Sequence, residues 1–197
     1  MDKYFALVLI VVLPFAASLM LAIFTRISRD MSAWITMGVA LVGLLMALVL
    51  YPQVIDGQVL ARKFEWIPSI GLDIIIRMDG FTWLFTVLIT GIGALVALYA
   101  RYYMSPEDPV RRFFAFLLAF MGAMLGTVLS GNVIQLVIFW EITGLFSFLL
   151  IGYWYHNAAA REGARMALTI TASGGLCLMA GMLLLGHIAG SYELDRI

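Results

Sequence analysis

Six long apolar stretches decide what this chain can fold into. They run Tyr4–Thr25, Ser32–Tyr51, Gly80–Ala100, Phe113–Ser130, Asn132–Trp154 and Met166–Ile188. A helix rises about 1.5 Å per residue and the hydrocarbon core of a bilayer is about 30 Å thick, so roughly 20 apolar residues cross it. No water reaches the backbone there, so each stretch must close its own hydrogen bonds as a helix. Barrel strands would be shorter and would alternate. The expected fold class is all-α integral membrane with six transmembrane helices. The first stretch is too long for a cleaved signal core, and its charged start, Asp2 beside Lys3, is weak. Pro14 is expected to kink it.

Composition excludes the other classes. The chain is 63% hydrophobic and 12% charged, with a mean hydropathy of +1.02; soluble proteins carry about 25% charged residues. Twelve Lys+Arg balance twelve Asp+Glu, which leaves no basic footprint for nucleic acid. One cysteine, Cys177, rules out a disulfide scaffold and reads as a buried small hydrophobe. No P-loop, GxGxxG, HExxH or nucleophile–base pattern is present. No cofactor and no metal site is expected. Gly122/Gly126 and Gly186/Gly190 have GxxxG spacing, which helix packing within one chain explains as well as dimerisation does.

Alternate connections face opposite sides. One side receives Arg26, Arg29, Arg101, Arg111, Arg112, Arg161 and Arg165; the other receives Lys3, Arg62, Lys63, Arg77 and Arg196. The positive-inside rule then places the N-terminus outside. Between the second and third stretches, residues alternate in polarity from Phe64 to Trp66 and from Leu72 to Asp79, on either side of Pro68-Ser69-Ile70-Gly71. Period two about a Pro/Gly turn predicts a β-hairpin, external by the same orientation. It reads as a loop without a partner or as an element that docks on a neighbouring subunit.

All charged residues but one lie outside the six stretches, and the exception is Glu141. It is tenth in the fifth stretch, about 15 Å along the helix and close to the midplane. A carboxyl there costs about 2.5–3.5 kcal/mol or more, which calls for a partner or a use. Gly144 and Gly152 share its helix face, so Glu141 is expected to point into a bundle. Two roles fit: a protonated Glu in one interhelical hydrogen bond, or a carboxyl that takes up and releases protons. Asp79 opens the third stretch, where helix capping or hairpin anchoring competes with ion binding. His187 ends the sixth, where an interfacial or capping role competes with a proton relay. Gln135, Thr143, Ser147 and Thr171 are expected to hydrogen-bond within the bundle.

The stretch from Phe139 to Trp154, reading FWEITGLFSFLLIGYW, resembles the fifth-helix signature of the antiporter-like membrane subunits. That family includes the large subunits of Mrp-type Na⁺/H⁺ antiporters and the proton-pumping subunits of respiratory complex I. Glu65–Gly71, Asp79–Phe81, Leu88–Gly93 and Phe120–Ser130 are similar to the A subunits of the Mrp branch. The likeness runs from about Phe64 to Ile188; the first two stretches fit by hydropathy only.

The resemblance implies that Glu141 pairs with a lysine on a seventh helix and serves as a proton-transfer and electrostatic switch residue. It implies residues 1–59 as the first two helices and 60–115 as a complex I chain 5 N-terminal-like region. Residues 116–197 would then begin a proton-conducting module. It also implies other antiporter subunits as partners, H⁺ and Na⁺ as cargo, and a bacterial cytoplasmic membrane. Both lysines, Lys3 and Lys63, lie outside the stretches, so the chain is expected to be part of a longer protein and not to transport alone. The comparable sixth-helix stretch, Thr171–Leu176, carries no charge, where the complex I branch commonly has Arg and Asp. That favours part of an antiporter, hence a transporter rather than an enzyme. The alternative is a proton-pumping subunit of complex I or of a membrane-bound hydrogenase.

Overall fold

Four of the helices begin where the sequence supplies a side chain for the free N–H groups of a first turn. The computed structural model describes residues 3–24, 26–67, 71–105 and 107–197. Helix α1 (Lys3–Ile23) runs through Pro14. Helix α2 (Arg29–Leu50) is capped by Ser28, whose hydroxyl accepts from Met31 N at 3.3 Å. Helix α3 (Gly80–Tyr103) opens on a reciprocal box, with Thr82 N donating to Asp79 Oδ1 and Asp79 N to Thr82 Oγ1, both at 2.8 Å. Helix α4 (Val110–Val128) leads into α5 (Val133–Ile151), where Asn132 Oδ1 accepts from Ile134 N and Gln135 N. Helix α6 (Ala158–Ala189) is capped by Asn157 and ends at Gly190, whose φ of +70° suits only a residue without Cβ. All six are long and apolar enough to cross a membrane.

Helix packing follows what lipid allows. Lipid tails are as apolar as leucine, so close backbone approach and dispersion, rather than exclusion from water, hold helices together. The α2–α3 contact is accordingly built from small residues: Thr36, Ala40, Gly43 and Ala47 face Thr86, Thr90, Ala94 and Ala97. A Cβ on Gly43 would meet Thr90 Cγ2 at 3.1 Å. The buried hydroxyls return to their own helix, Thr36 Oγ1 to Ser32 O at 2.9 Å and Thr90 Oγ1 to Thr86 O at 2.7 Å. Against α4, α1 places Leu7, Ile10 and Leu21 beside Phe114, Leu118 and Leu125, all fully buried. Helix α5 packs on α4, and α6 packs on α5.

Strand β1 (Leu60–Ile67) pairs antiparallel with β2 (Leu72–Met78), from Leu60 opposite Met78 to Ile67 opposite Leu72, with an irregularity between Phe64 and Ile67. The hairpin is therefore present, while its predicted turn residues Pro68, Ser69 and Ile70 lie outside the described residues. The expected two-faced alternation does not hold. Beyond Leu60, β1 is exposed along its length, whereas β2 buries Leu72, Asp73, Ile75, Ile76 and Met78. The reason is that β2 is an inner strand. The α4–α5 corner lies along its other edge, with Arg77 N donating to Leu129 O and Gly131 N to Ile75 O, both at 2.8 Å. The segment after α6 continues the ladder, with Val133 N bonded to Tyr192 O and Leu194 N to Gly131 O, both at 2.9 Å. A Cβ on Gly131 would come 2.5 Å from Ile75 Cγ2, so this edge closes only over a glycine.

Helix ends shift by up to three residues from the apolar stretches, so that α2, α3 and α4 take in Arg29, Asp30, Arg101, Arg111 and Arg112, and one start shifts by eight. Helix α6 starts at Ala158, not Met166, and takes in Arg161, Glu162 and Arg165. Charge ends an apolar stretch but not a helix, and Ala158-Ala159-Ala160 behind an Asn cap favours starting early. Helix α5 ends at Ile151, before Trp154, whose indole N–H donates to Asp108 Oδ1 at 3.0 Å. Cys177 is exposed rather than buried, because among the described residues α6 packs mainly on α5 and most of its surface is open.

Candidate functional site

Glu141 sits on α5 and turns toward α6. The antiparallel pair meets along a line of small residues. Gly144 lies against Thr171, where a Cβ would be 3.6 Å from Oγ1, and Gly152 lies against Ala164, where it would be 3.4 Å from Cβ. On the same line Glu141 meets Gly175, which is buried. A Cβ at Gly175 would overlap Glu141 Oε1 and stand 2.6 Å from its Cδ and 3.2 Å from Oε2. The carboxyl thus fills the slot that the missing side chain leaves. Its Oε1 is buried and, among the described residues, has no hydrogen-bond partner. An unsatisfied buried polar atom costs about 1–3 kcal/mol, more when charged. The site therefore holds a carboxyl with free capacity for a proton or a cationic partner.

The three residues singled out from sequence are not brought together. Asp79 caps α3 and pairs with Arg77 NH1 at 2.6 Å. Burial pushes its carboxyl up, but the Thr82 N–H and the Arg77 guanidinium outweigh this and hold it below the usual aspartate range. His187 lies exposed in the last turn of α6, twelve positions beyond Gly175 and so about 18 Å along the axis. Of the polar residues expected inside the bundle, Thr143 bonds to Phe139 O and Thr171 to Ala167 O. Gln135 does something else: its Oε1 accepts from Ile75 N at 2.7 Å and ties α5 to β2. Asn132 does the same through Nδ2, which donates to Gly71 O at 3.0 Å.

Sequence reasoning missed the ionic seam between the hairpin and the segment after α6. Lys63 Nζ lies 2.7 Å from Asp73 Oδ2 and 2.6 Å from Glu193 Oε1, while Arg196 Nε holds Glu193 Oε2 at 2.9 Å. Arg77 joins Asp79 to Asp195, the latter at 2.9 Å. Hydrogen bonds to Asp73 and then to Glu193 hold the Lys63 ammonium above the usual lysine range. Read one at a time, these are ordinary loop charges. The signal was opposite sign far apart in the chain, Lys63 and Arg77 on the strands against Glu193 and Asp195 after α6.

Six apolar helices packed side by side, with one carboxyl on the fifth and a hairpin at one end, define a multi-pass membrane protein. Residues 66–114 match the family described as NADH-Ubiquinone oxidoreductase (complex I), chain 5 N-terminus, and residues 130–197 match NADH:quinone oxidoreductase/Mrp antiporter, TM. The chain belongs to this antiporter-like family, on the branch of the Mrp A subunits. It is 57% identical over 187 residues to the A/B subunit of a probable K⁺/H⁺ antiporter of Rhizobium meliloti, covering 95% of the chain and 19% of the relative. It is 38% identical over 186 residues to the A1 subunit of a Na⁺/H⁺ antiporter of Staphylococcus aureus, covering 94% of the chain and 23% of the relative. The chain thus spans about a fifth of the length of the curated relatives it matches. A solved Mrp complex from Dietzia superimposes with a TM-score of 0.80 at 27% identity, over 99% of this chain and 20% of that one. The membrane-bound sulfane sulfur reductase, an archaeal respiratory complex, also reaches 0.80, at 16% identity over 95% of this chain and 29% of that one, a likeness of fold alone.

Proposed function

We propose that these residues form part of a proton-translocating subunit of a multisubunit cation/proton antiporter in a bacterial inner membrane. The complex exchanges cytoplasmic Na⁺ for external H⁺, and Glu141 is the group that takes up and releases the proton. The observation that carries this reading is the buried Oε1 without a partner, set against Gly175 in a helix pair that otherwise packs through small residues. Such an atom is stable when protonated or when a cation approaches, and each event changes the cost of the other. A lysine supplied by another part of the full protein completes the switch. The hairpin carries the contact to a neighbouring subunit, because β1 leaves Phe64, Trp66 and Arg62 exposed while β2 is covered.

In the complete complex, Glu141→Gln abolishes cation-driven proton movement in inverted vesicles while the complex still assembles. Exchange at the wild-type rate would refute the assignment. A second reading concerns the cation: the 57% identical relative is named for K⁺ and the 38% identical one for Na⁺, so K⁺/H⁺ exchange is the alternative. Titrating the two ions against the same vesicles separates them.

A further inference from the structure

At the end of the bundle opposite the hairpin, a groove of about 390 Å³ opens between the first turns of α4, the last turn of α5 and the first turns of α6. Its floor is apolar, formed by Phe116, Phe148 and Leu149, and three arginines stand at it: Arg112, Arg161 and Arg165. Arg161 and Arg165 are one helical turn apart on one face of α6. They belong to the two turns by which α6 extends beyond its apolar stretch, which puts their guanidinium groups at headgroup level.

No carboxylate among the described residues pairs with this cluster; Asp108, which lines a neighbouring cavity with Arg112, accepts from the Trp154 indole instead. Other arginines at this end are engaged: Arg29 donates to Met104 O, Arg101 pairs with Asp30 at 3.1 Å, and Arg111 donates to Leu21 O at 3.0 Å. Among the described residues, none of the three groove arginines has a carboxylate within ion-pair distance. Arg112 NH2 reaches Tyr153 O at 3.0 Å, but its Nε is buried with no acceptor, and the guanidinium lies 5.3 Å from the Tyr155 ring. Arg161 NH1 donates to Tyr155 O at 2.8 Å and to His156 O at 3.3 Å, and among the described residues its Nε and NH2 have no acceptor. The Arg165 side chain has no polar partner among the described residues. The one acid on this turn, Glu162, is exposed and pairs with none of them.

We infer that this groove is a binding site for an anionic glycerophospholipid. The phosphate is held by Arg112, Arg161 and Arg165, and an acyl chain lies along Phe116, Phe148 and Leu149. Guanidinium forks suit phosphate oxygens, and the orphaned Arg112 Nε supplies a donor that the protein leaves without an acceptor. The lipid is preferred over a soluble phosphate because the charged rim continues into an apolar floor at acyl depth, which a soluble anion does not use. Basic pockets between helices at the arginine-rich face are where anionic headgroups are held. The inference does not depend on Glu141 or on which cation is exchanged.

The test uses the complete complex in nanodiscs containing photoactivatable phosphatidylglycerol or photoactivatable phosphatidylcholine, with labelled peptides mapped by mass spectrometry. Peptides carrying Phe116, Phe148 and Leu149 should be labelled by phosphatidylglycerol well above phosphatidylcholine. Arg161→Gln with Arg165→Gln should cut that labelling about fivefold per arginine, and Arg161→Lys with Arg165→Lys should keep most of it. The lysine pair preserves the reading if the glutamine pair fails to assemble, because lost labelling there, in assembled complex, overturns it. Equal labelling by both lipids overturns the site. So does a groove left unlabelled because protein covers it, and so does displacement of the lipid by millimolar inorganic phosphate, which would make it a soluble-anion site.

Discussion

Gly175→Ala is the sharpest perturbation that the Glu141 slot permits. The new methyl would overlap Glu141 Oε1 and press on Cδ at 2.6 Å and Oε2 at 3.2 Å. All three atoms end one flexible side chain, and no hydrogen bond pins Oε1. The relief is therefore rotation of Glu141 out of the slot rather than separation of α5 from α6. Overpacking of this kind costs about 1–3 kcal/mol. Here the cost falls on one conformer of one carboxyl, so the melting temperature of the assembled complex should move little. Transport should move more. About 1.4 kcal/mol is tenfold in a rate, so antiport measured by fluorescence dequenching in inverted vesicles should fall roughly tenfold, within about 5- to 150-fold. Adding Glu141→Asp shortens the side chain by one methylene and should recover part of the loss, giving a coupling that two independent defects would lack. Wild-type antiport by Gly175→Ala would refute the slot. So would a loss that tracks the amount of assembled complex and is untouched by the aspartate.

The ends of the bundle give further expectations. Asn132→Ala removes the α5 cap and the bond to Gly71 O, and should destabilise the complex by about 1–3 kcal/mol in thermal unfolding in detergent. Asp79 titrates below its usual range when folded, so its contribution is present above the ordinary aspartate range and is lost as pH falls through the folded value. Asp79→Asn should flatten the acid limb of a stability–pH curve. Lys63 titrates above its usual 10.5, so its contribution is whole below that value and fades as pH rises through the folded one. Lys63→Gln should flatten the alkaline limb and leave neutral pH nearly unchanged, since exposed pairs contribute little.

Much of this was legible in the sequence for a simple reason. Crossing a bilayer is a length-and-polarity condition, and the six stretches met it on their own. Glu141 stood out because it broke that condition. Its neighbour Gly175 did not stand out, since a glycine in a run reading TASGGL gives no sign of which face it occupies until the partner helix is set against it. The start of α6 was misplaced because hydropathy reports where lipid ends, not where helical hydrogen bonding ends. The burial of β2 on both faces was not legible, because alternation in sequence says nothing about an edge covered by residues 129–131, which come from elsewhere in the chain.

That borrowed edge also sets an order of assembly. Strand β2 is made early, yet the backbone groups along its far side wait for the α4–α5 corner, and Lys63 waits for Glu193, 130 positions later. Until α4 has crossed and turned into α5, β2 presents an open edge, the kind that pairs with other chains. Its closure reports that α4 has inserted and that the corner before α5 has reached the hairpin. A polypeptide halted after α3 would keep that edge open and carry a visible mark of being unfinished.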